Sequence, residues 1–100
     1  MQEHDKIKSL KDNLFKAVLE LRTEEEASKF FDDICTIGEI DSLSQRLEVA
    51  RLLREGKTYI EIVDLVGASS TTISRVNRCL NFGPGGYRIV LERMEDKENK

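Results

Sequence analysis

The chain has 100 residues, a single proline, six glycines, and 16 basic against 19 acidic side chains, for a net charge of −3. That length suits one domain, and strong helix formers throughout point to an all-α class. No apolar run is long enough for a membrane span and the N-terminal stretch is too polar for a signal peptide, so a cytoplasmic protein with no membrane partner is expected.

Across residues 5–21, Ile7, Leu10, Leu14, Ala17 and Leu21 recur at alternating spacings of three and four, with Phe15, Val18 and Leu19 beside them. The pattern predicts a helix with two apolar faces to bury, within its own domain or against another chain. Next, Thr23 and Glu26 form the Thr-x-x-Glu signature of a capping box, followed by Ala27, Phe30, Phe31, Ile34 and Ile37 on one face, with Gly38 as terminator. Asp41 or Ser42 then caps a third helix over 43–55, with Leu43, Leu47, Ala50 and Leu53 inward. Its polar side carries Arg46, Arg51 and Arg54, with Lys57 just beyond Gly56. Arg54 and Lys57 are candidate phosphate contacts, the alternative being a solvated basic face.

The most informative stretch is 58–80. A second Thr-x-x-Glu, Thr58 with Glu61, starts a short helix in which Ile62, Leu65 and Val66 form the inward stripe, and Gly67 supplies the positive φ of a tight reversal. Ser69 or Ser70 caps the helix that follows, whose Ile73, Val76 and Leu80 pack against Ile62 and Val66. Ser70, Thr71, Ser74, Arg75 and Arg78 are left outward, with Thr72 at the edge. Hydroxyls at a helix N-terminus suit phosphate, since unpaired backbone N–H groups and the positive end of the helix dipole lie there, and arginine reaches both phosphates and guanine edges. This is the pattern of a helix-turn-helix, with Ser69, Ser70, Thr71, Thr72, Ser74, Arg75 and Arg78 as candidate DNA-binding residues; an ordinary helical hairpin with a polar outer face is the alternative.

The overall acidity does not weigh against this reading, because residues 1–42 carry 11 acids and 6 bases whereas residues 67–90 carry three arginines and no acid. After Leu80, the segment NFGPGG stops the helix; a last one over about 87–94 packs Ile89, Val90 and Leu91 inward, and 95–100 form a disordered tail. Cys35 and Cys79, 44 positions apart, form no CxxC pair and have no histidine cluster nearby. Neither a zinc site nor a disulfide is expected, and both are read as small buried side chains. No nucleophile–base pair, metal cluster or phosphate-cradling glycine loop is found, so neither an enzyme nor a cofactor is expected.

The order of these pieces, and the string SSTTISRVNRCLNFGP above all, resembles the Trp repressor family, most closely its YerC/YecD-type branch. The resemblance implies a six-helix, intertwined homodimer: one helical domain over 1–94, with dimerisation helices in 5–37 and the helix-turn-helix at 58–80, binding double-stranded DNA as a transcriptional regulator, expected to be a repressor. The second possibility is a helical dimer that binds a protein of the transcription machinery. In the family's corepressor-binding member, tryptophan is held between two arginines. Arg75 matches one; the other falls at Gln45, with Arg46 one position off, so Gln45, Arg46 and Arg75 are the candidate ligand residues. Val76 stands where that member has glycine and would crowd an indole, so tryptophan is not the expected effector. Ile60 and Val63 stand where that member presents basic side chains to the duplex, which implies fewer phosphate contacts.

Overall fold

A computed structural model describes residues 3–99. It contains α1 (Glu3–Val18), α2 (Glu24–Ile34), α3 (Ile37–Arg54), α4 (Tyr59–Val66), α5 (Ser70–Phe82) and α6 (Gly86–Glu98), with no strand among the described residues. The all-α class and the six helices agree with the sequence. Met1 and Gln2 of the expected domain, and Lys100 of the expected tail, lie outside the described residues. The chain divides into two compact units, Met1–Ile40 and Asp41–Lys100, with the first turn of α3 in the former.

In the first unit, α1 stops at Val18 and the chain leaves it through two tight turns, Glu20 N–H to Ala17 O at 3.0 Å and Leu21 N–H to Val18 O at 3.1 Å. Thr23 caps α2, its hydroxyl accepting the Glu26 N–H. The Glu26 carboxylate, however, accepts the N–H of Arg22 at 2.9 Å, not that of Thr23, so the expected box is displaced by one residue on its return arm.

The larger correction concerns Gly38, which does not end α2. That helix closes at Ile34, with the Cys35 N–H donating to Phe31 O, and Thr36 at once caps α3. Here the Thr36 N–H donates to the Glu39 carboxylate at 2.8 Å and the Glu39 N–H to the Thr36 hydroxyl at 3.1 Å, a full reciprocal box. The Thr36 backbone N–H, and then its hydroxyl, hold the Glu39 carboxyl below the ordinary carboxylate range. Ile37 and Gly38 therefore lie in the first turn of α3, and neither Asp41 nor Ser42 is its cap. Neither α1 nor α2 contains a fully buried residue: Leu10 is 69 % exposed, and Ile7, Leu14, Phe15 and Ile34 are open as well.

The second unit has its own core, made of Val49, Ala50, Leu52, Ile62, Ala68, Ile73, Val76 and Leu91, with Leu47, Leu53, Val66 and Tyr87 packed against it. The spacing identified Ile62, Ile73, Val76 and Ala50 correctly. It erred at Leu43, Leu65, Ile89 and Val90, all exposed, and missed Val49 and Leu52. The physical reason is the same in each helix: apolar residues flank the buried stripe on both sides, and periodicity alone does not say which flank meets a neighbour. The α3 C-terminus closes on Gly56 at φ +87°, where the Gly56 N–H donates to Leu53 O and the Lys57 N–H to Leu52 O, the paired bonds of a Schellman motif. Cys35 is half-buried and Cys79 exposed, contrary to the buried placement expected, and both are free thiols. At the other end α6 runs to Glu98, so residues 95–98 of the expected tail are helical.

Between α4 and α5 the anticipated devices are present. Thr58 and Glu61 form the complete capping box, Gly67 lies at φ +77°, and Ser69 caps α5 by accepting the Thr72 N–H. A Cβ at Gly67 would meet nothing within 4 Å, so its requirement is conformational and not one of space. Gly67→Val forces a β-branched residue into the left-handed region at a cost of roughly 2 kcal/mol or more. Thermal unfolding followed by circular dichroism is expected to give a melting temperature lower by roughly 10 °C.

Candidate nucleic-acid interface

The exposed face of α5 repeats at helical spacing. Ser70, Ser74 and Arg78 succeed one another four residues apart, as do Thr71 and Arg75, so the five side chains rise on one side of the helix. With Tyr59 of α4 they line an open concavity of about 730 Å³. No acid stands in the first turn of α5, and Ser69 takes the Thr72 N–H, which leaves the N–H groups of Ser70 and Thr71 pointing out of the helix end. Hydroxyls, orphan amides and two guanidinium groups thus converge on one surface, an arrangement that attracts an anion.

Two arginines of α3 are engaged by acids, whereas among the described residues the two on this face are not. Arg51 is bonded to Glu48 and Glu55; the Arg51 guanidinium holds the Glu48 carboxyl below the ordinary range, and Glu48 in turn makes the Arg51 proton harder to remove. Arg54 turns toward α6, 3.9 Å from Glu92 and 3.4 Å from Glu95, with its Nε buried and unbonded. Arg75 and Arg78 take part in no ion pair among the described residues.

The residues named from sequence therefore divide. Ser70, Thr71, Ser74, Arg75 and Arg78 come together on the groove. Ser69 and Thr72 are bonded to each other instead, Ser69 Oγ accepting the Thr72 backbone N–H as the cap of α5 and donating to Thr72 Oγ1 at 3.1 Å. Arg54, expected as a phosphate contact, is held by the two glutamates of α6, and Lys57 stands exposed on the connection to α4. Of the ligand candidates, Arg46 and Arg75 share a smaller cavity of about 220 Å³ with Thr72, Val76, Cys79 and Tyr87, whereas Gln45 is not among its lining residues. Tyr59 was missed; its one sequence signal was an aromatic directly after the Thr58 cap.

Residues 9–95 match the sequence profile of the Trp repressor protein family. The chain belongs to the Trp repressor family. It is similar to the uncharacterised protein YerC of Bacillus subtilis (strain 168), 55% identical over 89 residues, which cover 89% of this chain and 86% of the relative. Among solved structures it resembles a candidate Trp repressor from Staphylococcus aureus at 46% identity and a TM-score of 0.85, covering 95% of this chain and 96% of that one. A TrpR-like protein from Eubacterium eligens matches at 56% identity and a TM-score of 0.81, covering 84% and 87% of the two chains. Among the described residues no helix is long and apolar enough to cross a membrane, and no group of side chains could hold a metal ion.

Proposed function

We propose that this chain is a sequence-specific DNA-binding transcriptional regulator, a repressor, that uses α4 and α5 as a helix-turn-helix and acts in the cytoplasm as a homodimer. The observation that carries the reading is the outer face of α5, where Arg75 and Arg78 stand unpaired beside Ser70, Thr71 and Ser74 while Arg51 and Arg54 are tied to acids. Dimerisation is supported by α1 and α2, which bury no side chain fully within one chain and leave Ile7, Leu10, Leu14, Phe15 and Ile34 exposed. Two copies would present two α5 helices to half-sites about one helical turn, roughly 34 Å, apart. Val76 and Tyr87 stand in the wall of the cavity that holds Arg46 and Arg75, and tryptophan is not the effector proposed.

The second reading, a dimer whose corner binds a protein, is favoured by α4, where Ile60 is 77 % and Leu65 64 % exposed beside Glu61 and Asp64. Selection of bound fragments from random duplexes, followed by anisotropy at several salt concentrations with and without tryptophan, separates the two. A near-palindromic winner whose affinity falls linearly on a log–log salt plot, with no response to tryptophan, is the expected result. Failure to enrich any sequence removes the DNA reading in favour of the protein partner.

A further inference from the structure

The geometry points to Tyr59 as a direct contact to the duplex, its phenolic O–H donating a hydrogen bond to a backbone phosphate oxygen at the edge of the site read by α5. The inference rests on the DNA-binding reading and adds to it a contact made from the other helix of the corner, by a neutral side chain.

Three observations lead to it. Tyr59 is the α4 residue that lines the same concavity as Ser70, Thr71, Ser74, Arg75 and Arg78. Its backbone is the first residue of α4, directly after Thr58, whose two reciprocal bonds with Glu61 at 2.8 and 3.2 Å hold that turn. Its side chain is 38 % exposed, and its hydroxyl has no hydrogen-bond partner among the described residues. A ring seated on the protein with an open polar tip presents that tip to whatever enters the groove at little cost in rotamer freedom.

The chemistry of α4 selects the phosphate. The other exposed side chains of the helix are Ile60, Glu61, Val63, Asp64 and Leu65, which are apolar or anionic, so Tyr59 is the only side chain of α4 able to donate to an anionic oxygen. The unpaired guanidinium groups of Arg75 and Arg78 in the same concavity draw phosphate to that place, and a hydrogen bond to an ionised acceptor is among the stronger kinds. Such a contact positions the protein and carries no base information. Because it neutralises no charge, it also releases no counterion, and this separates it from an arginine contact.

The test compares wild type with Tyr59→Phe on the selected duplex and on a scrambled duplex across several salt concentrations, with Arg78→Ala as the reference for a charged contact. Tyr59→Phe keeps the ring, so the melting temperature is expected to stay unchanged. Affinity is expected to fall about ten-fold on both duplexes. The salt slope should remain that of wild type, whereas Arg78→Ala lowers it by about one. Wild-type affinity in the phenylalanine variant, or a loss confined to the selected duplex, overturns the phosphate contact while leaving the DNA reading intact. Failure of the wild-type protein to bind any duplex overturns both.

Discussion

Replacing Arg75 and Arg78 together by alanine is expected to lower affinity for the selected duplex by roughly 100-fold or more, with the melting temperature unchanged. The two halves of this outcome come from one fact. Neither arginine pairs with an acid among the described residues, so its removal strands no buried partner and breaks no intramolecular bond. Each arginine that met a phosphate also takes with it about 0.9 of the log–log salt slope. The measurement is anisotropy against salt alongside thermal unfolding. An unchanged affinity would remove α5 as the DNA-contacting face, and a large fall in melting temperature would mean that the arginines serve the fold. Arg54→Ala is the instructive contrast, since its guanidinium spans from α3 to Glu92 and Glu95 of α6.

Leu10→Asp with Leu14→Asp tests the dimer. Both leucines lie on α1, 69 % and 39 % exposed in the isolated chain, and on the dimer reading both are covered by the partner. At about 1.5–3 kcal/mol for a leucine fully withdrawn from water, scaled by those exposures, the four leucines of two chains represent roughly 3–6 kcal/mol of association, and the introduced carboxylates add repulsion. Sedimentation equilibrium is expected to show monomer at micromolar concentration, and duplex binding should weaken as the two half-sites lose their linked heads. The core of α3 to α6 contains neither leucine, so the second unit keeps its helical signal. A variant that sediments as a dimer would refute α1 as the interface.

How far the sequence could be read depended on how local each signal was. The corner from Thr58 to Ser69 was legible because every device in it acts within four residues: a box closed by Glu61, a glycine at φ +77° and a serine cap. The same grammar at Thr36 and Glu39 was overlooked because Gly38, which also resembles a stop, falls inside it. Leu65 and Val49 show the limit of periodicity, which finds a stripe's spacing but not its neighbour. The fate of Arg54 was out of reach, since its partners lie 38 and 41 positions further along the chain and only the packing of α6 brings them near. On the reading face, subtraction of the buried residues sufficed for α5, whereas Tyr59 belongs to a different helix and no spacing rule connects it to Arg78.

The absence of any buried residue in α1 and α2 bears on how such a regulator would respond to its own abundance. Helices of 16 and 11 residues that bury no side chain fully are marginal in water, so on the dimer reading ordering them and recruiting a second chain would become one equilibrium. By mass action, that equilibrium moves with protein concentration. On the dimer reading, the concentration of dimers able to span two half-sites would rise with the square of the free monomer level, and a modest change in synthesis would become a steeper change in occupancy.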